Sequence, residues 1–180
     1  MILANESLLQ DLMDRESIRE TMYAYCRGID RGDEAALRST YWPDATDQHG
    51  AYNGDAAGFI DAAIKIRAKG QRMIHQVTNI SIILKGHQAA VESYFQAFQC
   101  DTDAEGNPRE TFLCGRYVDR FEKRGSDWRV LARTVVYDWM KEAQGPAREE
   151  SERFGPRLPI GGMKPHDAWY SLLAQAPFKE

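Results

Sequence analysis

Hydrophobic positions recur with a helical period early in the chain and with a strand period after residue 70. Between residues 17 and 33 the apolar side chains are spaced by four, three and four positions, at Ile18, Met22, Tyr25 and Ile29. This spacing is typical of an amphipathic helix with one face on a core. Leucines before this run extend the predicted helical region to residues 5–30, as one helix or two abutting helices.

Four long segments after residue 70 alternate between apolar and polar residues, which is typical of strands. They cover residues 73–84, 89–100, 111–122 and 128–140. The segments between them contain Gly, Asp, Asn or Pro, which favour turns and loops. Strands joined by such turns and preceded by helices predict an α+β domain with a meandering antiparallel sheet, covered by helices on one side.

Shorter elements are predicted between the first helix and the sheet. A helical turn at 35–37 should end before Pro43, and a short strand at 44–51 should turn at 52–54. Asp55 is a suitable N-cap for a further helix, which Gly70 would close.

The last part of the chain differs in composition from the rest. With 180 residues the chain is most simply one domain, and we place it at residues 1–141. Residues 142–180 contain five prolines, of which Pro146, Pro156, Pro159 and Pro165 break the segment into short pieces, and an apolar cluster at Trp169, Tyr170, Leu172 and Leu173. Because these side chains gain by burial, we predict an arm that packs on its own domain or on a neighbouring subunit.

Composition and charge exclude several classes of function. The apolar fraction is 43%, the net charge is −4, and the basic residues form no cluster, so nucleic acid is not an expected partner. The three cysteines, Cys26, Cys100 and Cys114, have no CxxC spacing, which argues against a disulfide framework and a zinc ribbon. No signal sequence or membrane span is visible, and we infer a cytoplasmic protein.

Two titratable residues stand out as a candidate pair. Asp30 lies at the end of the first predicted helix, on the flank of its apolar face, where a half-buried carboxylate needs a partner. We predict that this partner is His75 on the first long strand, in a concave face shared with Val77 and Asn79. A carboxylate that orients an imidazole makes a general base, although the same spacing also arises without function.

Five segments carry a resemblance to a known family. They are YCRGIDRGD at 25–33, WPDA at 42–45, IHQVTN at 74–79, GRYVDRF at 115–121, and 128–139 from WRV to DW. Over residues 5–141 the chain resembles SnoaL-like members of the nuclear transport factor 2-like superfamily. That group includes scytalone dehydratase, hexachlorocyclohexane dehydrochlorinase and bile acid 7α-dehydratase.

The resemblance implies a cone-shaped barrel with a deep pocket, and an elimination reaction within it. Asp30 and His75 match the catalytic pair of the dehydratase and dehydrochlorinase branch, and Tyr25 and Arg133 match positions that assist the leaving group or a substrate oxygen. His75 would remove a carbon-bound proton while Asp30 stabilises the imidazolium. No metal and no organic cofactor is implied, and the expected assembly is a homo-oligomer, a trimer as in the dehydratase branch or a dimer.

The places of several aromatic residues and of Arg133 along the predicted elements suggest their roles. Four aromatic residues could line the cavity for a lipophilic, polycyclic substrate, or simply pack in the sheet: Tyr94, Phe98, Tyr117 and Tyr137. Trp42 and Trp139 are expected in the core. Arg133, if buried, needs an anion, which Asp119 or Asp138 could also supply.

Three functions remain open from the sequence. The first is a cofactor-independent lyase that removes water or a halide from a lipophilic ring such as a steroid or polyketide. The second is a ketosteroid-type isomerase, which uses the same proton abstraction without a leaving group. The third is a non-catalytic small-molecule-binding module, or one like the small subunit of aromatic-ring dioxygenases, because a fold alone does not decide function.

Overall fold

The computed structural model describes residues 2–145, 150–175 and 177, with the side chains of 6–145, 151–175 and 177. Its elements in chain order are α1 (Ile2–Arg31), α2 (Glu34–Ser39), β1 (Tyr41–His49), β2 (Tyr52–Asp55), α3 (Ala56–Arg67), β3 (Arg72–Lys85), β4 (Gln88–Thr102), β5 (Pro108–Arg124), β6 (Asp127–Gln144), α4 (Glu150–Phe154) and α5 (Ala168–Leu173). None of the described helices is long and apolar enough to span a membrane.

One curved sheet of six strands organises the fold, in the order β2-β1-β6-β5-β4-β3. Strands β3 to β6 form the predicted antiparallel meander, and the α+β class is confirmed. The sheet does not close, because β2 and β3 remain at its two edges. Strand β1 pairs with β6 in parallel, and the sequence pattern gave no indication of this pairing.

The helices cover one face of the sheet, as predicted. Ile18, Met22 and Tyr25 of α1 are fully buried, and Ile29 is 7% exposed. They share one core cluster with inward-facing residues of β5 and β6, including Tyr117, Phe121 and Val130. The amphipathic pattern of α1 therefore sets which side of the helix lies on the sheet.

A tight helix end fixes the position of Asp30. The chain turns at Gly32, whose φ of 61° is in the left-handed region, and the Asp33 side chain then caps α2 by accepting from the Ala36 N–H at 3.2 Å. At Gly28 a Cβ would lie 2.8 Å from the Leu37 backbone nitrogen, so the glycine permits close packing of α1 and α2. Asp55 caps α3 in the same way as Asp33 caps α2, as predicted.

Several element boundaries differ from the predictions. The N-terminal region is a single helix, and the turn predicted at 52–54 lies at 50–51, because 52–55 form β2. All four long strands extend beyond the predicted ends, and β6 continues to Gln144, past the domain boundary set at residue 141. The register of β3 shifts between Thr78 and Ser81, at a bulge where Asn79 has a φ of 49°.

The C-terminal arm lies against its own chain where α1 ends. The Lys164 N–H donates to the Arg31 carbonyl at 2.9 Å, and the Lys164 ammonium donates to Asp33 at 2.9 Å. The Arg27 guanidinium lies over the Trp169 ring, 5.5 Å from its centroid. The predicted apolar cluster is only partly covered, since no side chain of α5 is buried. Pro146, also part of the predicted arm, lies outside the described residues.

Candidate functional site

Asp30 and His75 are in direct contact at the junction of α1 and β3. Asp30 Oδ1 lies 2.6 Å from His75 Nδ1, and Asp30 Oδ2 accepts from the His75 backbone N–H at 2.8 Å. The two side chains are only 7% and 8% exposed. One carboxylate thus holds both the ring and the backbone of the histidine, so the imidazole orientation is fixed.

This contact leaves the other ring nitrogen available for chemistry. Because a carboxylate accepts hydrogen bonds, His75 Nδ1 carries the proton and Nε2 keeps its lone pair. The Asp30 main chain is held as well, because its carbonyl accepts from Arg67 Nη2 at 2.8 Å. The arrangement has the form of an oriented general base.

His75 faces the helices because of the strand alternation before the bulge. Met73, His75 and Val77 are half-buried, whereas Ile74 and Gln76 between them are exposed. Asn79 was expected to share this face, and that expectation is wrong, because the bulge exposes it. After the bulge the even-numbered Ile80 and Ile82 face inward.

Tyr25 is fully buried beside the sheet, nearly two turns before the end of α1. Its ring meets those of Tyr41 and Tyr117 edge-on, with centroids 6.2 Å and 5.5 Å away. Its hydroxyl has no hydrogen-bond partner among the described residues. Burial raises the pKa of Tyr25, so the hydroxyl is a neutral donor without an acceptor.

Arg133 is fully buried, and its anion is Asp119. The two side chains form a bidentate pair, with Nε and Nη2 at 2.8 Å and 2.7 Å from the carboxylate oxygens. Burial disfavours the charge, but Asp119 outweighs burial and the pKa of Arg133 lies well above its usual value. The guanidinium also lies over the Tyr25 and Tyr117 rings, 4.1 Å and 4.4 Å from their centroids.

A second polar group continues from Arg133 into β1. Arg133 Nη1 donates to the Tyr41 hydroxyl at 3.2 Å, and that hydroxyl donates to Asp47 at 2.6 Å. His49 Nδ1 lies 3.4 Å from the other Asp47 oxygen, and neither atom has a hydrogen-bond partner in the described part of the chain. This group was not predicted from the sequence, because Asp47 reaches Arg133 only through the parallel β1–β6 pairing.

The four predicted cavity aromatics do not share one place. Tyr117 is buried and stacks on Phe95 at 4.6 Å, and Tyr137 is 39% exposed near the His49 ring. Tyr94 and Phe98 are 44% and 50% exposed on the outer face of the sheet, because β4 points Phe95 and Ala97 inward instead. The four aromatic side chains therefore do not form one lining around the Asp30–His75 pair, and of the four only Phe98 is among the residues that line the cavity described next.

The main cavity lies beside the pair, at one end of the sheet. It has a volume of about 600 Å³ and is lined by the starts of β3 and β5, the end of β4, Arg31 and Arg67 at helix ends, and Gly161 to Met163 of the arm. Phe98 lines it from the outer face, while Asp30 and His75 are not among its lining residues. Arg67, which bonds to Asp30, connects this cavity to the pair.

A metal cluster and a reactive thiol at Cys26 are both excluded for the described regions. No three His, Cys, Asp or Glu side chains among residues 6–145 and 151–175 are grouped so that they could hold a metal ion. Cys26 is buried on α1, and burial raises the pKa of its thiol to about 12, so the thiol stays protonated.

Comparison with known proteins supports the fold over most of the chain. Residues 10–134 match the model of the SnoaL-like domain. A search of the curated proteins found no significant match.

Solved structures with low sequence identity share the fold. Hexachlorocyclohexane dehydrochlorinase LinA-type3 from Novosphingobium barchaimii is 20% identical, with a TM-score of 0.64, over 77% of this chain and 95% of that one. A Novosphingobium aromaticivorans protein provisionally named scytalone dehydratase is 20% identical, with a TM-score of 0.60, over 78% and 97%. The beta subunit of a provisionally named aromatic-ring-hydroxylating dioxygenase from the same species is 23% identical, with a TM-score of 0.55, over 73% and 92%.

Proposed function

We propose that this chain, which belongs to the SnoaL-like domain family, is a cofactor-independent lyase that eliminates water or a halide from a lipophilic ring substrate. The observation that carries the proposal is the 2.6 Å contact between Asp30 and His75, with both Asp30 oxygens engaged by the histidine. The dehydrochlorinase and the provisionally named dehydratase among the structural neighbours point to the same class of reaction.

The reaction begins at His75 Nε2. This nitrogen removes a proton from a carbon next to an electron-withdrawing group, and Asp30 stabilises the resulting imidazolium. The C–H electron pair forms the new double bond, and the leaving group departs with its own bonding pair. A metal or organic cofactor is not needed for these steps.

Tyr25 is the proposed donor to the leaving oxygen or to an enolate. Its hydroxyl is neutral, buried and without a partner in the described residues, so it can donate to substrate. Arg133 has less freedom, because Asp119 occupies its Nε and Nη2. We assign Arg133 to holding the Tyr25 ring, over which its guanidinium lies.

The isomerase is the second candidate, since it needs the same base and no leaving group. The dioxygenase beta subunit among the neighbours shows that this fold also occurs in a protein of another class. A contact as short as that of Asp30 and His75 favours an enzyme over a binding module, because a binding module has no need for an oriented base.

A substrate screen with matched histidine variants tests the proposal. Hydroxylated steroid ketones and halogenated cyclohexanes are incubated with the wild type, with His75→Gln and with His87→Gln, a control in the exposed β3–β4 turn. We expect products lighter by water or hydrogen halide with the wild type and the control, but not with His75→Gln. Products of unchanged mass would identify an isomerase, and equal conversion by all three proteins would overturn the assignment of His75.

A further inference from the structure

Arg67 is a buried cation with unused hydrogen-bond donors. It ends α3 and is only 4% exposed. Nη2 donates to the Asp30 carbonyl at 2.8 Å, whereas Nε and Nη1 have no partner within the described residues. Burial lowers the pKa of Arg67, and the nearby Asp30 opposes this effect only in part.

Such a group is costly unless something else pairs with it. A guanidinium removed from water loses hydration, and a single carbonyl replaces only part of that loss. Arg133 in the same molecule has a bidentate carboxylate, so the fold can provide one where the role is structural. At Arg67 the corresponding anion is missing from the described part of the chain, although Arg67 lines the 600 Å³ cavity.

The rest of the cavity matches an anion with an apolar body. Five arginines and two carboxylates line it, although the whole chain has a net charge of −4. Two of the arginines have carboxylate partners, because Arg109 is bidentate to Asp101 and Arg31 lies 3.7 Å from Asp167. The arginines are Arg31, Arg67, Arg72, Arg109 and Arg153. Met73, Ile74, Phe98 and Met163 provide apolar walls.

We infer that Arg67 anchors a carboxylate group of the ligand, so that the substrate of this protein is an amphipathic organic acid with an apolar ring. Nη2 has two protons, and the Asp30 carbonyl accepts one of them. The other Nη2 proton forms an edge of the planar guanidinium with the free Nε or with the free Nη1, and such an edge fits the two oxygens of a carboxylate. The inference rests on the proposed function, because it concerns the substrate of the same site. Arg67 lines the cavity and donates to the Asp30 carbonyl, and the Asp30 side chain contacts His75.

Entry of the acid requires a small movement of the arm. Nε and Nη1 of Arg67 are covered. The Met163 Cε and the Arg67 Cβ lie 2.6 Å and 3.9 Å from the point where a Cβ on Gly32 would lie, and both residues line the cavity, so Met163 is a close neighbour of the Arg67 side chain. Methionine side chains rearrange easily, because three rotatable bonds separate the thioether from the backbone. Displacement of Met163 would open the way from the cavity to the guanidinium.

The test uses a probe pair that differs only in charge. Calorimetric titration compares 1-naphthaleneacetate with 1-naphthaleneacetamide, which has the same ring and an uncharged head. The wild type should bind the acid about tenfold to a hundredfold more tightly, as expected for a charge-assisted hydrogen-bonded pair. Arg67→Met should lose this preference, whereas Arg153→Met, a control at the exposed rim of the same cavity, should keep it.

The outcomes separate this inference from the proposed reaction. Titrations are repeated with His75→Gln, which removes the proposed base but leaves Arg67 in place. An acid preference that is present in His75→Gln supports the anchor even if no elimination is found. Equal binding of acid and amide by the wild type would overturn the inference without any variant, and so would a preference retained by Arg67→Met.

Discussion

Two buried tyrosine hydroxyls in this protein have opposite surroundings. The Tyr41 hydroxyl accepts from Arg133 and donates to Asp47, so it is part of a hydrogen-bonded group. The Tyr25 hydroxyl is equally buried and has no partner in the described residues. Because an unpaired buried hydroxyl costs free energy, its presence at Tyr25 is better explained by a substrate than by stability.

We therefore predict opposite effects of removing these two hydroxyls. Tyr25→Phe should leave the free energy of unfolding unchanged or raise it by about 1 kcal/mol, while elimination slows. Tyr41→Phe should lower it by about 1–3 kcal/mol, because Asp47 and Arg133 each lose a partner. Urea denaturation measures both, and an equal loss of stability in the two variants would show that Tyr25 is structural.

Residue-scale prediction from the sequence succeeded where local pattern was sufficient. Asp30 and His75 are in contact although 45 positions separate them. This contact could be predicted because the sequence pattern indicated both the end of the first helix and the first long strand. Asp47 was not found, since its contact with Arg133 depends on a parallel strand pairing. Trp139 was expected in the core and is 63% exposed, because β6 turns it to the outer face.

At the scale of elements, one bulge decides which residues of β3 face the helices. Before it His75 points inward, and after it Ile82 does, although their positions differ in parity. Asn79 makes this possible with a φ of 49°, which Asn and Gly adopt more readily than other residues. Simple alternation cannot predict such a shift, because it assumes an unbroken period of two.

The bulge predicts a specific tolerance at position 79. Asn79→Gly should preserve stability, whereas Asn79→Val should lower the free energy of unfolding by about 1–2 kcal/mol, because a β-branched residue is strained at positive φ. Thr78→Val, at the preceding exposed strand position, serves as the control and should be neutral. Thermal and urea unfolding of the three variants measure these changes in stability. Equal stability of Asn79→Val and Asn79→Gly would contradict the prediction.

Two ionised carboxylates, Asp33 and Asp167, hold the C-terminal arm by hydrogen bonds. Burial alone would raise the pKa of Asp33, but hydrogen bonds from Lys164 and the Ala36 N–H outweigh it, and the pKa lies below the usual 3.8. The N–H groups of Gly162 and Trp169 lower the pKa of Asp167 in the same direction. A carboxylate whose pKa is lowered in the folded state stabilises the docked arm at pH values above its usual pKa. This stabilisation is lost as the pH falls through the lowered pKa.

Docking of the arm should therefore be constant from neutral pH to about 5 and weaken at pH values below 3.8. The Trp169 indole resonance in an NMR titration reports the docking. Asp33→Asn keeps a side chain that can cap α2 but removes the charge, so it should weaken docking at neutral pH. A Trp169 signal that does not change between pH 6 and 3 in the wild type would contradict this account.

At the scale of the whole molecule, the sheet has one covered and one open face. The open face carries apolar side chains that are 42–63% exposed, namely Tyr94, Val118 and Trp139, and it continues into Ile74 and Phe98 at the wall of the cavity. Strand pairing places Ile74 opposite Phe98, and the Phe98 and Phe112 rings lie 4.9 Å apart. Contiguous exposed apolar surface of this kind indicates an interface.

We expect a homo-oligomer that covers this face, a trimer or a dimer. Sedimentation equilibrium should give a multiple of the 20.5 kDa chain mass, and Trp139→Glu should shift it toward the monomer. Ile66→Glu, on the exposed side of α3, is the control and should leave the mass of the assembly unchanged. A monomeric wild type would refute the expectation.

The α+β class and the order of most elements followed from the sequence, because helix and strand periods are local properties. The open sheet, the parallel pairing of β1 and the location of the cavity did not, because each depends on how distant segments meet. The cavity lies at the end of the sheet, where Arg67, Met73 and Met163 are among the residues that line it.

The most direct test of the proposed elimination is the rate on a converted substrate with deuterium at the carbon that loses its proton, in the wild type and in Asp30→Asn. The account predicts a primary isotope effect in the wild type and a rate about 10²–10⁴-fold lower in the variant, since the base loses its carboxylate. Undiminished turnover by a folded Asp30→Asn protein, with no isotope effect in the wild type, would contradict it.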